Sequence, residues 1–318
     1  MRACAASERS AVKPQATPES ASLRREPDSL GSRSLLRSPH ESEPLLDLHT
    51  QESSDGSEGR ELTYSVRNLS FAYSNQLILD DISFDIAKGK ITALLGANGS
   101  GKSTLFKLLT KNLKARAGAE IMLEGRNLSD YRLGELARKV AVVWQKNSAP
   151  YDITVRELVA YGRIPHKKAF QSLTHEDETA IDRALNICEL DDIAESRMQE
   201  LSGGQQQRVW IALGIAQETP IMFLDEPTTF LDVRYQVMIL RLIRKLNKEL
   251  GMTVVLILHD VNQTLGLCDE LIALYPDGAS LLQGTPQELI TEDFLRDIYN
   301  TDLRMIKAEN QSIVFSQV

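Results

Sequence analysis

Cysteine and long hydrophobic runs are scarce in this chain of 318 residues. Its three cysteines, Cys4, Cys188 and Cys268, are far apart and include no CxxC pair. This pattern argues against a disulfide framework or a zinc site and favours a reducing cytoplasm. The longest apolar runs, such as 91–95 and 254–258, are far shorter than the roughly 20 residues that cross a bilayer. The chain is therefore not expected to span a membrane by itself.

Positive charge is also in deficit, because 36 Lys and Arg face 44 Asp and Glu, giving a formal net charge of -8. The corresponding pI is about 5.3. Such a chain repels phosphate backbones unless a local patch overrides the net charge. The composition therefore argues against a general nucleic-acid binder. Hydrophobic residues make up 42%, enough for the core of one large domain or two ordinary ones.

Aromatic residues are absent from positions 1–60, and this stretch holds 5 of the 11 prolines among frequent Ser, Glu and Arg. It cannot bury enough apolar surface to offset the entropy lost on ordering it. We therefore expect a disordered tail over residues 1–60. The alternative that the natural start lies near residue 60 stays open, and an intact-mass measurement on native protein separates the two.

From residue 61 onward, short β-branched and apolar runs alternate with helical patterns. The predicted strands are 64–71, 82–86, 91–95, 140–144, 221–224 and 254–258. This alternation predicts an α/β fold around a largely parallel sheet. Strand signals vanish between residues 151 and 201, where Thr174 has the residue type of a helix N-cap and Cys188 falls on an apolar helix face. Cys188 is therefore expected in the core. Residues 284–318 are expected to form the end of the sheet and small closing helices.

A glycine-rich loop, Gly96-Ala97-Asn98-Gly99-Ser100-Gly101-Lys102-Ser103, follows the predicted strand 91–95 and precedes a helical pattern at 104–110. This context is the one in which GxxxxGK[ST] binds phosphates. Glycines let the backbone N–H groups wrap the anion, and the helix N-terminus attracts negative charge. Lys102 should reach the β- and γ-phosphates, and Ser103 should bind Mg²⁺. The candidate nucleotide-binding residues are Gly96, Asn98, Gly99, Ser100, Gly101, Lys102, Ser103 and Thr104.

Two acids follow the apolar run 221–224. Asp225 is placed to hold Mg²⁺, and Glu226 beside it is a candidate general base. On its own, an apolar strand that ends in Asp-Glu is more often followed by a solvated loop. In combination with the phosphate loop, it predicts a metal and base site.

Between these two elements lies Leu201-Ser202-Gly203-Gly204-Gln205, whose serine and glycines are expected to open a helix. With this LSGGQ motif and the phosphate loop, the chain from residue 62 to its C-terminus resembles the ATPase subunits of ABC transporters. The resemblance implies a domain over 61–318, with a P-loop NTPase core, an antiparallel β subdomain and an inserted α-helical subdomain at about 147–217. It also implies ATP and Mg²⁺ as cofactors.

The resemblance further implies a homodimer in which two copies, arranged head to tail, sandwich two ATP molecules. Asp232 would couple the two sites. The family's commoner Ser-Ala-Leu-Asp reads Thr229-Phe230-Leu231-Asp232 here, so Phe230 departs from that version. Four residues would cap the ATP held by the opposite copy: Ser202, Gly203, Gly204 and Gln205.

Three further positions take family roles by resemblance alone. Tyr73 matches the aromatic residue that stacks on adenine. Gln145 matches a glutamine that contacts Mg²⁺ and the attacking water, and His259 matches a histidine that senses the γ-phosphate. The implied catalytic residues are thus Glu226, His259 and Gln145, and the implied metal ligands are Ser103, Gln145 and Asp225.

Within the family, the chain is similar to ATPases that serve iron-siderophore, haem and cobalamin uptake. The residues that carry this likeness are 152–155, 157–160, Gly162-Arg163, Pro165-His166, 216–218 and 226–229. The likeness implies an importer subunit for iron chelates at the cytoplasmic face of the inner membrane. Its implied partners are permease subunits and, indirectly, a periplasmic or lipoprotein substrate-binding protein.

Other interpretations stay open. The cargo could be haem, cobalamin or a metal ion such as zinc or manganese, and an exporter is a further alternative. A soluble ABC protein that acts on ribosomes or DNA is the competitor from another class. Such proteins usually carry two cassettes or a long coiled coil, whereas this chain has one copy of each motif and no long heptad run.

Overall fold

The computed structural model describes residues 61–168, 171–301, 303–308 and 311–316. The tail expected over residues 1–60 lies outside them. The strands are β1 Leu62–Tyr73, β2 Gln76–Ala87, β3 Ile91–Gly96, β4 Glu120–Leu123, β5 Arg126–Asn127, β6 Val140–Val143, β7 Ile221–Asp225, β8 Thr253–Ile257, β9 Glu270–Leu274, β10 Leu281–Gly284, β11 Leu303–Ala308 and β12 Gln311–Ser316. The α-helices are α1 Lys102–Leu109, α2 Leu133–Leu136, α3 Val155–Ala160, α4 His175–Ile187, α5 Gly203–Ala216, α6 Val233–Leu250, α7 Val261–Leu267, α8 Pro286–Leu289 and α9 Glu292–Tyr299.

The main sheet has six strands in the order β10-β9-β3-β8-β7-β6. Strands β9, β3, β8, β7 and β6 are parallel, and β10 joins the edge antiparallel to β9. Every residue of β3 and of β8 is buried, as expected for strands covered on both faces. The predicted α/β fold is confirmed, and the sheet brings the carboxyl ends of β3, β6, β7 and β8 to one edge.

A second sheet, antiparallel throughout, has the order β2-β1-β4-β5. An aromatic cluster joins both sheets to α1. The ring of Phe223 in β7 lies edge-on to Phe106 of α1 at 5.3 Å and to Tyr64 of β1 at 5.7 Å, between ring centroids. All three side chains are fully buried. This packing fixes α1 and, with it, the loop that precedes the helix.

In the sequence, helices α3, α4 and α5 come after β6 and before β7. The same segment contains the 3-10 helices Tyr161–His166, Asp191–Ile193 and Met198–Glu200. Thr174 is the N-cap of α4, and its hydroxyl accepts from the Asp177 N–H at 3.2 Å, so the predicted helix start is confirmed. Cys188 is 1% exposed and belongs to the core, also as predicted. Among the described residues, no helix combines the length and apolar character that crossing a membrane requires.

The C-terminal region contains a β-hairpin that the sequence did not predict. Helices α8 and α9 match the expected closing helices, but β11 and β12 then pair with each other. The side-chain amide of Asn262 on α7 donates to Val314 O at 3.0 Å and accepts from Val314 N at 2.8 Å. A tertiary contact thus holds β12 in place, and the local sequence gives little indication of it.

Candidate active site

The loop between β3 and α1 has a backbone shape that depends on its glycines. Gly96 and Gly101 have positive φ angles of 152° and 94°. A Cβ at Gly96 would lie 2.4 Å from Leu274 O, and a Cβ at Gly101 would lie 2.7 Å from Leu79 Cδ2. At Gly96 the backbone of β9 leaves no room for a side chain, and at both positions the positive φ favours glycine.

The Lys102 ammonium lies inside this loop. Its Nζ donates to Gly96 O and Ala97 O, both at 2.8 Å, and the residue is buried. Burial lowers the pKa of Lys102, and the negative charge of Glu226 acts in the opposite direction. The buried hydroxyl of Ser100 has no hydrogen-bond partner. The loop therefore presents a cation and a hydroxyl to an anion that enters it.

Three of the remaining loop residues, Asn98, Gly99 and Ser103, are exposed to solvent, whereas Thr104 is buried. Ser103 is the second residue of α1, so its hydroxyl stands at the positive end of that helix.

Asp225 ends β7 with a carboxylate whose Oδ1 is buried and has no hydrogen-bond partner. Burial, followed by the neighbouring charge of Glu226, raises the pKa of Asp225, while a backbone hydrogen bond from Gln145 acts in the opposite direction. A buried anionic oxygen without a partner is costly. A bound cation would offset that cost, so the residues present fit a metal ion.

Glu226 is held by three donors. Its Oε2 accepts from Gln145 Nε2 and, at 3.1 Å, from Thr229 Oγ1. Its Oε1 lies 2.5 Å from His259 Nε2. The backbone of Glu226 is left-handed, with φ of 49°, an uncommon conformation that turns the chain sharply after β7. The structure thus gathers three predicted catalytic residues from the ends of three neighbouring strands.

Thr229 contacts Glu226, and the sequence does not predict this contact. The segment 226–229 carries only a likeness to one group of importers. Its hydroxyl shares the Oε2 atom of Glu226 with Gln145. A threonine four residues after the end of β7 has no distinctive pattern, so only the left-handed turn at Glu226 reveals this contact.

Ser202 is the N-cap of α5, as the sequence predicts for a helix start. Its N–H donates to Gln205 Oε1 at 2.9 Å, and its hydroxyl accepts from Gln205 N at 3.4 Å, so the two residues form a capping box. Ser202 and Gly203 are exposed, whereas Gly204 is buried. A Cβ at Gly204 would lie 2.4 Å from the ring of Tyr235 on α6. Close packing between α5 and α6 therefore requires glycine there.

Two predicted residues lie at exposed turns. Tyr73 ends β1, is 44% exposed and meets Phe71 edge-on at 5.0 Å between ring centroids. The hairpin that Tyr73 closes continues into β2, whose Leu79 packs on Gly101 of the phosphate loop. Asp232 is the exposed N-cap of α6. Two residues before Asp232 lies Phe230, whose side chain is 90% exposed and whose backbone is left-handed, with φ of 64°.

A buried ion pair organises the helical region. Arg163 Nε donates to Asp177 Oδ1 at 2.8 Å, and each side chain is only 6% exposed. The other end of the Arg163 guanidinium donates to Ala216 O and Glu218 Oε2, both at 2.7 Å. His166 Nε2 lies 2.8 Å from Gln217 O. The segments 162–166 and 216–218, separate in sequence, therefore form one contact cluster.

Residues 79–229 match the family described as ABC transporter. The achromobactin transport ATP-binding protein CbrD of Dickeya dadantii is 38% identical over 240 residues, which cover 76% of this chain and 88% of that protein. The iron(3+)-hydroxamate import ATP-binding protein FhuC of Bacillus subtilis is 39% identical over 242 residues, which cover 76% of this chain and 89% of that protein.

A solved structure with the same fold is that of a transporter described as metal-chelate type, in an inward-facing conformation. It aligns with a TM-score of 0.69 at 28% identity, covering 80% of this chain and 96% of that one. The alignment confirms the predicted fold class, with its P-loop core, antiparallel sheet and helical insertion.

Proposed function

This chain belongs to the ABC transporter family, as an ATP-binding subunit that hydrolyses ATP, and from this premise we propose that it drives import of iron chelates of the siderophore type. The observation that carries the proposal is the likeness to subunits named for achromobactin transport and iron(3+)-hydroxamate import over nearly nine tenths of their lengths. The contact cluster of Arg163 supports it, because it joins 162–166 to 216–218, two of the segments whose sequence is similar to this group of importers.

We propose that hydrolysis uses Glu226 as the base that orients and deprotonates the attacking water. Gln145 and His259 hold its two carboxylate oxygens. When ATP binds, Glu226 would exchange these two contacts for the attacking water. The side chains of Gln145 and His259 would then be free to contact the water and the γ-phosphate. Lys102 and the N–H groups of the phosphate loop would stabilise the charge on the transferring phosphoryl group.

Ser103, Gln145 and Asp225 would hold Mg²⁺ in this proposal. All three offer the oxygen ligands that Mg²⁺ prefers, and the unpartnered Oδ1 of Asp225 supports the assignment. When bound, the ion supplies Lewis-acid neutralisation of the phosphate charge.

A second copy of the chain completes each site in our proposal. Exposed Ser202 and Gly203 open α5, whose N-terminal N–H groups form a favourable anion site on the surface. Gly204 and Gln205 fix that helix start. This helix start suits the γ-phosphate of ATP bound to the partner's phosphate loop, and Tyr73 would stack on the adenine of the chain's own ATP. Asp232, the exposed N-cap of α6, would couple the two sites.

Importer subunits of this family work with membrane permease subunits. We propose that three exposed apolar side chains after β6 form the permease contact: Tyr151, Tyr161 and Ile164. The chain would then act at the cytoplasmic face of the inner membrane and meet a substrate-binding protein only indirectly. As proposed domains, residues 61–318 form the ATPase and about 147–217 its helical subdomain.

Co-purification from detergent-solubilised membranes tests the transport role. A partner with many membrane spans is expected, whereas co-sedimentation with ribosomes would favour the non-transport alternative. Uptake of radioactive iron as a siderophore complex, compared with haem and cobalamin, then tests the cargo. Uptake should require Glu226 and be lost in Glu226→Gln cells.

A further inference from the structure

A closed ring of hydrogen bonds joins the segment after β7 to helices α6 and α7. Thr228 Oγ1 donates to Gln263 Oε1 at 2.8 Å, and Gln263 Nε2 donates to Gln236 Oε1 at 3.0 Å. Gln236 Nε2 donates to Leu231 O at 2.9 Å, and Leu231 N donates back to Thr228 O at 3.4 Å. The ring therefore holds three separate elements in one arrangement.

The side chains of Gln236 and Gln263 connect the three elements of this ring. Each amide accepts one hydrogen bond through its oxygen and donates one through its nitrogen. Thr228 is buried and both glutamines are half-buried, so a broken bond would leave polar groups poorly satisfied. One element cannot shift without stretching the bonds to the other two.

Each element of the ring lies next to a different part of the active site. Gln263 is on α7, which begins directly after Asp260, the N-cap that follows His259. Thr228 comes two residues after Glu226. Leu231 precedes Asp232, the N-cap of α6. The ring therefore connects the segments that carry His259 and Glu226 with the start of α6.

The first turn of α6 also contacts the LSGGQ helix. Tyr235, which precedes Gln236, packs so closely on Gly204 that a Cβ there would lie 2.4 Å from its ring. A shift of this turn must displace the start of α5, because packed interiors transmit small displacements.

We propose that Gln236 and Gln263 are positioning residues that couple the nucleotide state sensed by His259 to the LSGGQ helix of the same chain. This inference rests on the proposed function, since that helix would serve the ATP bound to the other copy. Binding of ATP at one site then prepares the second site, which is positive cooperativity between two sites.

The test is the ATP dependence of hydrolysis by the full chain. Gln263→Met removes both side-chain hydrogen bonds at nearly constant length. Gln287→Met is the matched control, because Gln287 Nε2 also donates to α7, at Leu265 O (3.3 Å), but lies outside the ring. With two sites the Hill coefficient is at most 2, and we expect values above about 1.5 for wild type and control. Gln263→Met should give a value near 1 while still turning over ATP.

A second pair of variants, at Thr228, tests the same ring in case Gln263→Met does not fold. Thr228→Val removes the hydroxyl of the ring, and Thr228→Ser retains it, so cooperativity should fall in the first and persist in the second. Melting temperatures of all variants separate a loss of coupling from a loss of stability.

Two results would overturn the inference: a wild-type Hill coefficient of 1, or an unchanged coefficient in both Gln263→Met and Thr228→Val. A wild-type chain that does not hydrolyse ATP, or a Glu226→Gln variant that does not dimerise with ATP, would instead contradict the proposed function.

Discussion

His259 Nε2 lies 2.5 Å from Glu226 Oε1, so the imidazole and the proposed base are in direct contact. The second carboxylate oxygen accepts from Gln145 and Thr229. Both oxygens are thus engaged within the chain, and at least one must exchange its partner for water before Glu226 can act as a base.

Glu226→Gln should reduce ATP turnover by about 10²- to 10⁴-fold, because an amide cannot accept the proton from water. ATP should still bind, and the closed dimer should accumulate since it cannot hydrolyse its nucleotide. Size-exclusion chromatography with Mg-ATP measures this. Glu249→Gln, at an exposed position of α6, is the control and should behave as wild type. Monomeric elution of Glu226→Gln with ATP would count against the account.

Tyr73→Ala should weaken ATP binding. Stacking of a base on an aromatic ring contributes about 1–3 kcal/mol, which corresponds to roughly a 5- to 150-fold rise in Kd. Tyr73→Trp retains a stacking surface and should keep Kd near the wild-type value. Isothermal titration calorimetry measures the Kd for ATP of both variants. Equal Kd values for Tyr73→Ala and Tyr73→Trp would exclude the stacking role.

Gly204→Ala should destabilise the protein more than Gly203→Ala does. The added Cβ at Gly204 would lie 2.4 Å from Tyr235, whereas at Gly203 the nearest atom, in Leu231, would be 4.0 Å away. Overpacking of this kind costs about 1–3 kcal/mol. Urea denaturation gives the two free energies of unfolding. The additional change Tyr235→Ala should relieve the Gly204→Ala defect, and its failure to do so would contradict the steric cause.

Asp177→Asn should be destabilising at neutral pH and nearly neutral in acid. Backbone and side-chain hydrogen bonds from Thr174, together with Arg163, lower the pKa of Asp177 to about 2 from an ordinary 3.8. Because the folded-state pKa is the lower one, the stabilisation is complete above about pH 4 and is lost as the pH falls through 2. Denaturation of both proteins between pH 7 and pH 2 measures the difference. The control is Asp152→Asn, which breaks an exposed ion pair with Arg197 and should change little. A difference between wild type and Asp177→Asn that does not shrink in acid would exclude the ion-pair cause.

Much of the fold follows from local signals. The phosphate loop and the cap at Thr174 each combine an apolar pattern with a residue of special backbone or capping chemistry, and the strand before Asp225 is a continuous apolar run. Helix α5 begins with two glycines, Gly203 and Gly204, directly after its N-cap Ser202. Glycine has low helix propensity, so packing and the Ser202 cap decide that start.

Features that depend on tertiary contacts could not be predicted. The hairpin β11–β12 is held by Asn262, about 50 residues away, and Thr229 meets Glu226 only because Glu226 adopts a left-handed backbone. The ring through Gln236 and Gln263 joins two helices whose sequences contain no sign of the pairing. Such contacts arise from the meeting of distant segments and leave no periodic signal.

The central claim is that each ATP site is built from two chains, and the ATPase activity of purified Ser202→Arg tests it most directly. The variant should bind ATP as wild type does, because Lys102 and the phosphate loop are intact, yet lose turnover since the arginine blocks the surface offered to the partner's nucleotide. Ser202→Ala removes the helix cap at a cost of about 0.5–2 kcal/mol without adding bulk, and a smaller loss of turnover in it than in Ser202→Arg separates blockage of the surface from loss of the cap. Loss of hydrolysis in Ser202→Arg with unchanged ATP affinity is the predicted result, and undiminished hydrolysis would contradict the account.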